Sequence, residues 1–239
     1  MPELDGILDE MGERDEAARA KEFSDRVYFN TVVILKGVTL AFGASTLLGL
    51  IRHGAPFDSA NNMASYLAWL ATSLVVTLSF TSQAFGSARS SIHPTTMVVV
   101  LTFALGITEF VTFGLIEPRR GHATTASIEA WLMGMAVAAM LAFCFVSLVL
   151  TQLRSDRYFS AEADQSLRSL IRTDRRGALV TAAAAICLWA AMRFTTVEDV
   201  PWIAPAALML PIILGLRSQP RKMDLARPVP PDPEPAPGP

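Results

Sequence analysis

Six apolar blocks divide this chain, and its basic residues fall mainly on alternate connecting segments. The blocks are residues 27–51, 63–85, 95–116, 128–153, 177–194 and 200–216. A helix needs about 20 apolar residues to cross a hydrocarbon core of about 30 Å, so the first four blocks span easily and the last two only just. The sequence therefore predicts an all-α, polytopic membrane helical bundle with six transmembrane helices.

The distribution of lysine and arginine predicts how the chain is threaded. If both termini lie on one side, fifteen of the 20 basic residues lie on that side and four on the other, while Lys36 lies inside the first block. Basic residues accumulate on cytoplasmic segments, so both termini are expected in the cytoplasm, which requires an even number of spans. We expect a multi-pass protein of the plasma (inner) membrane.

Three segments are predicted around and within the transmembrane domain of residues 27–216. Residues 1–26 have the pattern of an amphipathic helix that lies along the membrane or stands in solvent. Residues 154–176 read as a basic cytoplasmic loop with a short interfacial helix, whose arginines attract anionic lipid or merely fix the topology. These arginines are Arg168, Arg172, Arg175 and Arg176. Residues 217–239 are rich in proline and predict a disordered tail.

Small residues recur at every fourth position in two of the blocks, a pattern that lets helices approach closely in lipid. The stripe in span one is Gly37, Ala41, Ser45 and Gly49, and the stripe in span four is Ala130, Gly134, Ala138 and Ala142. We interpret both stripes as helix contact faces, either with each other or with a second subunit. The alanine-rich span five is expected to be enclosed, and Pro205 and Pro211 predict a kink in span six.

Two charged residues lie well inside apolar blocks, Lys36 in span one and Glu109 in span three. A charge near the bilayer centre costs at least about 2.5 to 3.5 kcal/mol, so a chain that keeps one usually pairs it or uses it. At about 1.5 Å per residue, their depths differ by about 9 Å, near the limit that two long side chains bridge. Three alternatives stay open: a functional polar path, a structural polar contact, or two side chains that reach the interfaces independently.

Hydroxyl side chains share the faces of these two charges and extend onto span two. The predicted path is lined by Lys36, Glu109, Thr39, Thr102, Thr112, Thr72 and Thr77. A carboxylate in low dielectric beside a cation can be tuned to exchange protons near neutrality. In this hypothesis Glu109 is the binding or proton-exchanging group and Lys36 is its counter-charge.

The motifs of membrane enzymes do not occur in the sequence. There is no H-E-x-x-H, no G-x-S-x-G, no Walker A loop and no T-V-G-Y-G filter, and the three histidines lie between the blocks. We predict no enzymatic activity, no cofactor, no metal site and no nucleic-acid partner.

The sequence predicts a small transporter or channel. The alternative is a non-catalytic subunit or assembly factor of a larger membrane complex. In either case the expected partners are membrane lipids together with further copies of the chain or a membrane-complex partner.

Overall fold

The architecture comes from a computed structural model of the full chain. It describes the backbone of residues 2–89, 95–116, 125–155, 161–194 and 201–217. Side chains are described for residues 26–83, 95–116, 126–151, 168–194 and 201–217. The predicted tail, the side chains of the predicted amphipathic segment and His93 and His122 lie outside these residues.

All the described regular structure is helical. The helices are α1 (Pro2–His53), α2 (Ala60–Arg89), α3 (Thr96–Ile116), α4 (Thr125–Ser155), α5 (Ala161–Phe194) and α6 (Ile203–Leu216). α1 packs against α2 and α3, α4 packs against α3 and α5, and α6 packs against α2 and α5. The predicted all-α bundle is confirmed.

Five of these helices contain a stretch long and apolar enough to cross a membrane. The stretches are Arg26–His53, Ala60–Gln83, Thr96–Ile116, Ala126–Thr151 and Arg168–Phe194. Large apolar side chains cover much of their outer surface, among them Ile34, Ile107 and Val180, each more than half exposed. An apolar exterior of this extent belongs in lipid, so the chain is a multi-pass membrane protein.

The sixth helix is shorter than the other five. α6 has 14 residues, which give a length of about 21 Å at 1.5 Å per residue. Its end lies beside α2, because a methyl group added to Gly215 would lie 3.6 Å from Leu78 Cδ1. α6 begins at Ile203, so Pro205 falls in the first turn, where no hydrogen bond is lost, and only Pro211 interrupts the ladder.

Helix ends differ from the ends of the apolar blocks. α1 is helical from Pro2, so the predicted amphipathic segment is continuous with the first span. α5 starts at Ala161 and passes through Gly177 without a break. Most of the predicted loop of residues 154–176 is therefore helix, because hydropathy marks where a chain leaves lipid and not where its helix ends.

Two buried apolar clusters hold the bundle together. The end at which α5 begins, which carries Arg168, Arg172, Arg175 and Arg176, is called the basic end, and the opposite end is called the far end. The larger cluster contains Leu50, Phe113 and Trp131 and fills the far half. The smaller cluster contains Tyr28, Val98 and Phe145 and lies toward the basic end between α1, α3 and α4.

The two small-residue stripes have different surroundings. On α4, Gly134 lies against Thr112 of α3, since an added methyl group would be 2.9 Å from Thr112 Oγ1, and Ala138 is buried. On α1, Ala41 and Ser45 are exposed, and no atom of another helix lies within 4 Å of a methyl group added to Gly37 or Gly49. The two stripes do not meet each other in this chain.

Span five is not enclosed, contrary to the expectation from its alanines. Thr181, Ala182 and Ala185 are buried on one face, but Val180 and Ile186 are exposed. Alanine is tolerated on a lipid-facing surface as readily as in a close contact, so an alanine-rich sequence does not distinguish the two environments.

Candidate functional site

The two membrane-embedded charges form a buried ion pair. Lys36 extends from α1 and donates a hydrogen bond from Nζ to Glu109 Oε2 on α3. Each residue is 1% exposed. The difference in depth counted from the sequence does not keep the two side chains apart. The alternative of two independent side chains reaching opposite interfaces is therefore not what the structure shows.

Ser79 of α2 completes the site by contacting both members of the pair. Lys36 Nζ donates to Ser79 Oγ over 2.7 Å, and the Ser79 hydroxyl donates to Glu109 Oε1 over 2.6 Å. Its proton has a second acceptor in the carbonyl of Val76, at 2.9 Å. We call Lys36, Ser79 and Glu109 the polar triad, in which three helices each supply one polar side chain.

Glycines let α1 and α3 approach closely around the triad. A methyl group on Gly106 would lie 2.3 Å from Leu35 Cδ2, and one on Gly43 would lie 2.7 Å from Phe113 Cζ. The side chain of Leu35 thus occupies the space that a larger residue at 106 would need. These contacts bring the two helices near enough for Lys36 to reach Glu109.

The predicted polar faces are buried, but most of their hydroxyls bond to their own helix. Thr39 donates to the carbonyl of Leu35, Thr102 to Val98, Thr112 to Thr108, Thr72 to Ala68 and Thr77 to Ser73. Thr77 is exposed on the outside of the bundle. Among the described side chains, these threonines therefore do not form a continuous row of free hydroxyls beside the polar triad.

Two of these threonines also join helices. Tyr28 donates to Thr102 Oγ1 over 3.0 Å, because the Thr102 proton is already directed to the Val98 carbonyl. Trp131 of α4 donates from Nε1 to Thr72 Oγ1 over 2.9 Å. In both cases the hydroxyl satisfies a buried aromatic donor, which is a structural role.

A cavity of about 100 Å³ lies beside the triad, between α2, α4, α5 and α6. Ser79 lines it, so one side chain contacts both the ion pair and the cavity. The other polar lining residues are Ser82, Gln83, Thr173, Asp174 and Thr181. Ala142, Phe145 and Ile212 belong to the apolar lining. The short length of α6 leaves this space open, because α6 ends beside Leu78 while α2 continues toward the basic end.

The cavity reaches the basic end, where α2 and α5 are joined by a polar contact. Ser82 Oγ donates to Asp174 Oδ2 over 3.1 Å. One residue further along α5, the Arg175 guanidinium lies 5.1 Å from the centre of the Phe143 ring on α4. Arg172, Arg175 and Arg176 are exposed and Arg168 is partly buried. The end of the cavity that Ser82 and Asp174 line thus lies near the exposed arginines of α5.

The far side of the triad is filled by packed aromatic rings. Phe113 and Trp131 are each 0% exposed, and Phe113 lies directly against Gly43. Trp69 of α2 donates from Nε1 to the Gly43 carbonyl over 2.7 Å, which fixes α1 against α2 at this level. The triad is therefore adjacent to a cavity on the basic side and to a packed core on the far side.

Part of this site was not predicted from the sequence. Ser79 is one of several hydroxyl residues on span two, and nothing in the sequence distinguishes it from the others. Gln83, a buried amide one turn further along α2, is a signal that was available and not used. Asp174 was assigned to a loop, and its place at the cavity follows only from the extension of α5.

The triad offers charge and hydrogen bonding but no metal site. No group of three or more His, Cys, Asp or Glu side chains lies close enough to hold a metal ion in the part of the chain whose side chains are described. A carboxylate held by one ammonium and one hydroxyl can bind a cation or exchange a proton. Comparison with protein-family models, curated proteins and solved structures finds no match to this chain.

Proposed function

We propose that this protein is a small membrane transporter of the carrier type, in which the polar triad is the site of ion exchange. The observation that supports this most is the position of Ser79, whose hydroxyl contacts Lys36 and Glu109 and also lines the cavity. Through this residue, a site deep in the bundle is adjacent to a cavity whose lining extends toward the basic end. Enzymatic activity forms no part of the proposal.

The cost of the pair supports a functional role. Replacing a buried ion pair by apolar residues of similar volume is often neutral or stabilising in proteins. A charged group in a transmembrane segment adds an insertion penalty to that cost. If the pair served only to hold α1 against α3, close packing could do so at a lower free-energy cost. Such packing is already present at Gly43 and Gly106.

A carrier fits the packing better than an open channel. The core around Phe113 and Trp131 is closely packed beyond the triad, whereas a cavity lies on the other side of the triad. Carriers expose a central site to one side at a time, often by movement of one group of helices against another. In this proposal the structure corresponds to the state that opens at the basic end, which the charge distribution predicts to be cytoplasmic.

The test is flux through the purified protein in liposomes. We expect native protein to pass at least one species, from a panel of protons, Na⁺, K⁺ and small organic cations, faster than empty liposomes. Glu109→Gln and Lys36→Met should each lose that flux at least tenfold. Thr81→Ala is the matched control, because this hydroxyl bonds to α2 carbonyls and lies outside the triad. Equal flux in native and Glu109→Gln liposomes would reject the proposal.

A second candidate function is a subunit or assembly factor of a membrane complex. The observation that favours it is the α1 stripe, where Gly37, Ala41 and Ser45 are exposed. Purification in mild detergent tests it. A partner at fixed stoichiometry that is lost with Ala41→Leu or on truncation after Lys222 supports this function, and a single monodisperse species argues against it.

A further inference from the structure

We propose that the ion exchanged at the triad is a proton, which passes between the cavity and Glu109 through the hydroxyl of Ser79. This inference rests on the proposed transport function and adds the transported species and its route. It follows from the burial of the pair, the contacts of Ser79 and the polar lining of the cavity.

Burial excludes larger ions from the pair in this conformation. Lys36 and Glu109 are each 1% exposed, and both carboxylate oxygens of Glu109 are engaged, one by Lys36 and one by Ser79. A metal ion or an organic cation would have to displace these contacts to reach the carboxylate. A proton moves along hydrogen bonds that already exist, so it needs no such opening.

Ser79 is placed as the relay between the cavity and the pair. Its hydroxyl lies 2.6 Å from Glu109 Oε1 and it forms part of the cavity wall. A hydroxyl accepts one proton while donating another, which a side chain with donors alone or acceptors alone cannot do. Of the three triad residues, Ser79 is the one with this property that also touches the cavity.

The cavity is large enough to hold water, and although most of its lining is apolar, polar side chains line it near the triad. One buried water needs about 10 to 15 Å³ of such space and two to four polar partners, and the cavity measures about 100 Å³. Ser79, Ser82 and Gln83 are spaced three and four residues apart, so they lie along one face of α2. This face leads from the triad to Asp174, which accepts a hydrogen bond from Ser82 at the basic end.

A hydronium ion in the cavity gives a proton to Ser79 Oγ, while the hydroxyl proton of Ser79 passes to Glu109 Oε1. The products are a water molecule, an intact serine hydroxyl and a neutral carboxylic acid. Reversal of these steps returns the proton to the cavity, so no other reactant is required.

The charged groups around Glu109 determine what changes when Glu109 is protonated. Among the described side chains, Lys36 is the charged group that α1 directs at Glu109, α2 contributes the uncharged Ser79, and Asp174 of α5 lies at the cavity's polar end. When Glu109 is neutral, the Lys36 ammonium loses its counter-charge in a low-dielectric site. That loss weakens the link between α1 and α3, so protonation is coupled to a change in helix packing.

The test uses full-length protein in liposomes that contain a pH-sensitive dye, with membrane potential clamped by K⁺ and valinomycin. We expect Ser79→Ala to pass protons at least tenfold more slowly than the native protein and Ser79→Thr, which keeps the hydroxyl, to stay within about threefold of it. Thr81→Ala is again the control. Ala142→Phe narrows the cavity without altering the triad and should also slow proton flux at least tenfold.

The outcomes separate this inference from the proposed function. Native proton flux together with a Ser79→Ala flux within twofold of native overturns the serine route but leaves transport intact. Flux of another ion or solute in the absence of proton flux overturns the proton as the transported species. No flux of any species through native protein contradicts the proposed function itself. If Ser79→Ala fails to fold, Ala142→Phe and Ser79→Thr decide the route.

Discussion

At the residue scale, Lys36 and Glu109 depend on each other because neither reaches water. Each is 1% exposed, and each neutralises the charge of the other. Removing one partner of a buried pair leaves the other as an uncompensated buried charge. The free-energy cost of that removal is larger than the net stabilisation that the intact pair provides. The pair is therefore a sensitive point of stability.

This dependence predicts a double-mutant cycle. Lys36→Met and Glu109→Gln should each lower the free energy of unfolding in detergent micelles by about 3 kcal/mol, because each leaves an unpaired polar group. The double variant should lose less than the sum of the two, since no charge is then left buried. Additive losses would show that the two side chains do not interact.

Close packing at Gly106 gives a second prediction. In Gly106→Ala the new methyl group would lie 2.3 Å from Leu35 Cδ2, and such overpacking costs typically about 1 to 3 kcal/mol. Adding Leu35→Ala should recover part of this loss in thermal unfolding. Gly114→Ala is the control, because its new methyl group would lie 3.8 Å from the nearest atom, Phe42 Cε1, and because alanine has a higher helix propensity than glycine. A Gly106→Ala variant as stable as Gly114→Ala would contradict the packing.

The two buried charged residues could be identified from the sequence, but the contact between them could not. Lys36 and Glu109 stand out because charge is rare in apolar blocks. Their contact depends on helix register and on glycine-mediated approach, which a hydropathy pattern does not encode. Thr77 resembles Thr72 in the sequence, yet one is exposed and the other buried.

At the scale of single helices, α5 and α1 extend well past the apolar blocks from which they were predicted. α5 has 34 residues and α1 has 52. Charged residues with good helix propensity continue a helix beyond the membrane. The boundaries of the apolar blocks therefore show where the chain enters solvent and not where the helix ends. For α5 the extension brings Asp174 to Ser82 and so forms one side of the cavity opening.

The two small-residue stripes yield a matched pair of variants. Ala138 of α4 is 1% exposed, so Ala138→Leu should lower unfolding stability by about 1 to 3 kcal/mol through overpacking. Ala41 of α1 is exposed, so Ala41→Leu should leave the stability of the single chain unchanged. The comparison is made by thermal unfolding of the two variants in the same detergent. Equal losses would mean that α1 also packs through its stripe.

At the scale of the whole molecule, the bundle differs between its two halves. The far half contains the large apolar cluster with Phe113 and Trp131, and the half toward the basic end contains the cavity. The polar triad lies where the two halves meet. The alternation of apolar blocks predicted the bundle itself, but not this asymmetry, which arises from the short α6 and the long α5.

The proposed carrier requires that the triad be accessible from one side only, and cysteine labelling in sealed vesicles measures this access. In a Cys144→Ala, Cys187→Ala background, Ala142→Cys lies at the cavity and Thr72→Cys lies in the packed far half. A membrane-impermeant thiol reagent should label Ala142→Cys when applied at the basic end and not at the far end, and should leave Thr72→Cys unlabelled from both. Labelling of Thr72→Cys, or labelling of Ala142→Cys from the far end, would contradict the claim.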